Sequence, residues 1–116
     1  MIKAHNEHGV ISVSSAVFSV ITGAAATNCF GVKGMAYRSV KDGLVHLLRG
    51  EAMSKGVKVY YNEDGTLSID LQIIVENGVN IFAVSRSIIK EVRYMVTKNT
   101  GVEVKAVNIF VDSMTV

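Results

Sequence analysis

The side chains able to do chemistry in this 116-residue chain are few and widely spaced. His5 and His8, with Glu7 between them, offer a metal three donors near the N-terminus. That segment is polar and is expected to be flexible over residues 1–8, which gives poor tetrahedral geometry. Cys29 and His46 are the remaining cysteine and histidine. A lone cysteine at an apolar helix end, with nothing nearby to lower its pKa, is expected to be a small buried residue and not a nucleophile. Asp70 and Glu76 fall on the same side of one strand, about 20 Å apart, too far for a two-carboxylate hydrolytic site. Neither a Walker loop, a dinucleotide fingerprint nor a nucleophile elbow is present. No metal, cofactor or catalytic residue is therefore expected, and the chain is not expected to be an enzyme.

Gly31-Val32-Lys33-Gly34 has the spacing of the glycine loop that clamps nucleotide phosphates in KH domains. A KH loop joins two helices, whereas Met35-Ala36-Tyr37 reads as extended, so a helix-to-strand turn is the favoured reading. The alternative, a small KH-like nucleic-acid-binding module, would use Lys33, Arg38, Lys41 and Arg49.

Positioning of these residues depends on a strand-helix-strand unit from Gly65 to Val111. Leu67, Ile69, Leu71, Ile73 and Val75 recur at period 2, and after Gly78 the period becomes helical through Ile81, Val84, Ile88, Val92, Met95 and Val96. Asn80 is an N-cap residue and Gly101 a helix stop. Val102, Val104, Val107, Ile109 and Val111 return to period 2, with a bulge expected where Ala106 and Val107 cannot both point inward. Asn62-Glu63-Asp64-Gly65 predicts a hairpin pairing Val57–Tyr61 with Thr66–Val75. The strand after the helix should run parallel to Thr66–Val75.

Upstream, Val10–Val13 is a strand candidate, and Ser14 or Ser15 caps a helix whose inner face is expected at Val17, Val20, Ile21, Ala24, Ala25 and Asn28. Small residues around Gly23 predict close packing on the sheet. Val40–Leu48 reads as a short helix, weakened by Gly43. The expected architecture is α+β, a two-layer sandwich with helices on one face of a mixed sheet, in the order β-α-β-α-β-β-α-β.

Alternating strands leave the second sheet face for water or a partner. Lys58, Tyr60, Ser68, Asp70, Gln72, Ile74, Asn108 and Phe110 are expected there, with Tyr60, Ile74 and Phe110 as the apolar members. If contiguous, those three mark an assembly surface. The central strand offers no aromatics for base stacking, which disfavours an RRM-like role despite a β-α-β-β-α-β order.

The length suits a single domain over 1–116 with its own core. Twelve basic and ten acidic residues are interspersed, so the net charge of +2 identifies no polyanionic partner. One cysteine favours a reducing, cytoplasmic setting. The longest weakly polar run, Val10–Ala26, is too interrupted by serines to span a bilayer, and the N-terminus lacks a signal peptide's apolar region.

Several segments in series resemble the alkaline shock protein family of Gram-positive bacteria. They are Gly9-Val10-Ile11-Ser12-Val13-Ser14, Gly31-Val32-Lys33-Gly34-Met35, Lys55-Gly56-Val57-Lys58-Val59, Ile69-Asp70-Leu71, Val75-Glu76-Asn77-Gly78-Val79-Asn80-Ile81, and Thr100-Gly101-Val102-Glu103-Val104 through Val107-Asn108-Ile109. The pattern departs at Phe82, where the family often has proline, at Ser15-Ala16, where it has acidic residues, and over Met35–Lys41. Phe82 is expected to expose its ring.

The resemblance implies a non-enzymatic cytoplasmic scaffold of cell-envelope stress response or homeostasis that forms homo-oligomers. It also implies peripheral location at the membrane through a membrane-anchored relative, and a fatty-acid kinase as a further possible partner. The family supplies no catalytic residues. Candidate interaction residues are Lys58, Tyr60, Ile74, Phe82 and Phe110.

Overall fold

The structure, a computed structural model, describes residues 2–6, 9–38, 45–48 and 55–112, and side chains over 13–36 and 55–112. Strand β1 (Ile2–Asn6) pairs antiparallel with β2 (Gly9–Val13), so Ile2–Asn6 is extended and paired where flexibility is expected from composition. Helix α1 spans Ser15–Thr27, and β3 spans Val32–Arg38. Strands β4 (Val45–Leu48), β5 (Val57–Tyr61) and β6 (Leu67–Val75) precede helix α2 (Ile81–Thr100) and β7 (Val104–Asp112).

Val45–Leu48 corrects the helix expected over Val40–Leu48. It pairs antiparallel with β3, Met35 opposite Leu48 and Arg38 opposite Val45, so cross-strand pairing replaces a helix that Gly43 already weakens. The remainder of that segment, residues 40–44, lies outside the described residues.

The main sheet is built around β6. One of its edges pairs in parallel with β7 from Leu67 to Ile74. The other edge is shared end to end, with β5 antiparallel to Leu67–Leu71 and β3 antiparallel to Ile73–Val75. The Asp-Gly hairpin is present as expected: Thr66 Oγ1 donates to Asp64 Oδ1 at 2.6 Å, and the Thr66 N–H donates to the same oxygen at 3.1 Å. These two bonds, the hydroxyl first, hold the Asp64 carboxyl below its ordinary range. In β7 the register slips between Val104 and Ala106. The extra residue is therefore Lys105, one position before the expected Ala106–Val107 bulge.

The two helices cover one face as a single layer and run antiparallel. At one end the Phe18 ring meets Tyr61 edge-on, 6.4 Å between centroids. At the other, the Gly31 backbone abuts the side chains of Val79 and Val84. Helix α2 follows the expected stripe, burying Val84, Ile88, Val92 and Val96. Asn80 Oδ1 accepts the Ala83 N–H at 3.1 Å, and Gly101 closes the helix at φ 76°.

Helix α1 is rotated from the expected orientation. Its buried residues are Phe18, Ser19, Thr22, Gly23, Ala25 and Ala26, whereas Val17 and Val20 face outward. Of the expected inner face only Ala25 is fully buried; Ile21 packs at the margin of the core, and Ala24 and Asn28 are exposed. Phe18, Thr22 and Ala25 are the true helical stripe, and small neighbours let α1 lie close to β3, β5 and α2.

Where β5 stops and β3 begins along β6, the seam is occupied by Gly56. A Cβ at Gly56 would stand 2.8 Å from the Ala36 carbonyl oxygen and 3.3 Å from that of Gln72. Both obstacles are backbone. Gly56→Ala is therefore expected to cost about 1–3 kcal/mol by overpacking, read as a lowered midpoint in urea unfolding.

Candidate functional site

The face of the sheet opposite the helices is assembled by register. Tyr60, Ser68 and Ala106 form one row across β5, β6 and β7, and Lys58, Asp70 and Asn108 form the next. Gln72 and Phe110 form a third row, flanked by the Gly56 seam. These residues alternate with Val57, Ile69, Leu71 and Ile73, which belong to the core under the helices.

Two side-chain bonds order the polar centre. Asn108 Nδ2 donates to Asp70 Oδ1 at 2.9 Å, and Gln72 Nε2 donates to Asp112 Oδ2 at 3.4 Å. Between the rows lies an open depression of about 240 Å³, lined by Lys55, Gly56, Lys58, Asp70, Gln72 and Phe110. The two lysines and Asp70 supply its charge, and the Phe110 ring supplies an apolar wall. Lys58 and Asp70 are register partners, facing each other across β5 and β6.

Four of the five candidate interaction residues are on the surface, but not together. Tyr60 is 48% exposed and Phe110 53% exposed. They occupy opposite corners of the bare face, roughly 16 Å apart by strand spacing and rise, with Lys58 exposed between them. Phe82 is exposed on the first turn of α2, in the helix layer on the other side of the sheet.

Ile74 is the correction: it is fully buried. Ile73 and Ile74 are buried in succession although adjacent strand residues point to opposite faces, so both faces of β6 are covered at its C-terminal end. The bare surface is confined to the rows from Ser68 to Gln72. A strict period-2 reading places Ile74 correctly on that face but cannot report what lies over it.

The other chemical candidates separate. Gly31 and Lys33 belong to the turn and the bulged start of β3, not to a loop between two helices. The side chains of Arg38, His46 and His5 and the whole of Lys41, Arg49 and His8 lie outside the described residues. Cys29 Sγ donates to the Ala25 carbonyl at 3.4 Å, and burial, followed by the negative charge of Glu91, pushes its thiol pKa up. A raised thiol is the opposite of an activated nucleophile. No group of three metal-ligating side chains occurs among the described residues.

The second edge of β7 has no strand partner among the described residues. Near its start, Arg93 Nη2 donates to the Lys105 carbonyl at 3.0 Å, occupying the acceptor that the bulge leaves unpaired.

Comparison with known proteins agrees with this architecture. A model of the alkaline shock protein 23 family, of cell envelope-related function, matches residues 3–116. The uncharacterized protein YloU of Bacillus subtilis (strain 168) is 37% identical over 116 residues, covering 99% of this chain and 96% of that protein. An uncharacterized protein of Streptococcus pyogenes is 34% identical, covering 99% of this chain and 95% of its own. Among solved structures, the copper form of the MamM CTD superposes with a TM-score of 0.52 at 12% identity, covering 88% of each chain. At that identity the likeness concerns the fold alone.

Proposed function

The chain belongs to the alkaline shock protein 23 family, whose function is cell envelope-related, and from that membership we propose that it is a non-enzymatic docking protein. It acts by self-association and partner binding through the bare face of its sheet. The observation that carries this reading is the pair of half-exposed aromatic rings, Tyr60 and Phe110, bordering an ordered polar centre with an open depression. Aromatic anchors around a polar region are the usual composition of a protein interface, in which a few large side chains supply most of the binding energy.

The polar centre adds direction. Lys55 and Lys58 favour a partner with an acidic group, and the Phe110 ring favours an apolar one beside it. A stress-related role near the membrane, with a membrane-anchored relative as one partner, extends the same reading.

Site-specific photo-crosslinking tests it. A benzophenone side chain in place of Phe110 is expected to capture a second copy or an envelope protein in intact cells, and the same group in place of Glu63, on the exposed hairpin, is expected to capture neither. Equal capture at the two positions would overturn the assignment of this face.

A further inference from the structure

We propose that the outer surface of the helix layer lies directly against an anionic lipid surface, so that the chain itself touches the membrane on the side opposite its docking face. The three most exposed large apolar side chains among the described residues stand on that side: Val20 of α1 at 63%, Phe82 of α2 at 80% and Phe30 of the α1–β3 turn at 90% exposure. Phe30 precedes Gly31, whose backbone packs against Val79 and Val84, so both phenylalanines project from the same pole of the molecule.

Charge complements them. Helix α1 has no charged residue between Ser15 and Thr27, and α2 has four basic residues against a single half-buried carboxylate, Glu91. Arg86 and Lys90 are exposed, and at 100° per residue they share an arc with Phe82, on the side away from the buried stripe, whereas Arg93 is turned to the Lys105 carbonyl at the edge of β7. A cationic helix face with protruding aromatic rings matches the interface of an acidic bilayer, where rings enter the headgroup region and cations meet phosphates. No helix among the described residues is long and apolar enough to cross a membrane.

Two other occupants fit less well. A second copy seated on the same face by two-fold symmetry would bring two cationic surfaces together, each carrying Arg86 and Lys90. A nucleic acid would use the cations but gives no reason for an exposed Val20 on an uncharged helix.

Vesicle flotation tests the proposal, using phosphatidylcholine vesicles with and without phosphatidylglycerol. The full chain is expected to float with the anionic vesicles, to remain below the neutral ones, and to lose binding as salt is raised. Arg86→Glu with Lys90→Glu should weaken vesicle binding by at least about tenfold, and Phe82→Ser by about fivefold. Thermal melts of both variants should match the parent chain, because none of these side chains is buried. Glu63→Asp, on the exposed β5–β6 hairpin, should float like the parent. Failure of the parent to float at low ionic strength would overturn the proposal, as would unchanged flotation in both helix variants. Retention of a single-stranded oligonucleotide without flotation would assign the face to nucleic acid instead, and a vesicle-independent fall in oligomer mass in Phe82→Ser would assign it to a second copy.

Discussion

Phe18→Ala is expected to cost about 3–5 kcal/mol, a large share of the roughly 5–15 kcal/mol that holds a domain together. Phe18 is fully buried, contacts Tyr61 edge-on, and ties α1 to the end of β5. Truncation removes the ring's transfer energy and leaves a cavity between layers that are already closely spaced. Val20→Lys, two residues away, is expected to change stability by no more than about 0.5 kcal/mol, since Val20 points to solvent. The pair is diagnostic. Were the inner face of α1 centred on Val17 and Val20, as hydropathy suggests, Val20→Lys would be the severe change and Phe18→Ala the mild one. Urea unfolding of the two variants, compared at constant slope, decides between the orientations.

Gly31→Ala is expected to cost about 2–4 kcal/mol from two independent sources. Its φ of +89° lies where a side chain strains the backbone. A Cβ there would also stand 3.0 Å from Val84 Cγ2 and 3.2 Å from Val79 Cγ1, and these valines fix the start of α2. Gly65→Ala separates the two contributions. Gly65 has φ +85° but nothing within 4 Å of its missing Cβ, so only the backbone strain of about 1–2 kcal/mol is expected. Equal loss in the two variants would mean that the contact between the α1–β3 turn and α2 is not tight. The same glycine explains why the Gly31–Gly34 spacing is better read as a packed turn than as a phosphate clamp.

Sequence pattern is most readable where one physical demand dominates. In α2 every buried position is apolar and the ends carry an Asn cap and a left-handed glycine, so period and punctuation agree. The β5–β6 hairpin is legible for the same reason, since Asp64-Gly65 supplies both the turn bond and the positive φ. In α1 the demand is closeness more than greasiness. Ser19, Thr22 and Gly23 occupy the inner face because they are small, and Thr22 Oγ1 is buried without a hydrogen-bond partner among the described residues. A hydropathy stripe therefore selects the exposed valines. Val45–Leu48 fails similarly, because four residues of edge strand carry too little pattern to compete with a leucine-rich helical spacing.

The candidate site was half legible. Alternation along β5, β6 and β7 assigns Lys58, Tyr60, Asp70, Gln72 and Phe110 to one face, and register then sets them in rows. Two features depend on tertiary facts that period 2 cannot encode. The depression lies where β5 and β3 share an edge of β6 with Gly56 at their junction, and Ile74 is lost to the surface because both faces are covered there.

The measurement that bears most directly on the bare face as a docking surface is solution mass by light scattering over a concentration series. The parent chain is expected to rise above its monomer mass of 12.5 kDa. Phe110→Asp is expected to weaken that association by about tenfold or more while the melting temperature stays unchanged, because the ring is an exposed anchor and not part of the core. A parent and a Phe110→Asp variant that associate alike would contradict the account, and so would a parent that stays at monomer mass throughout.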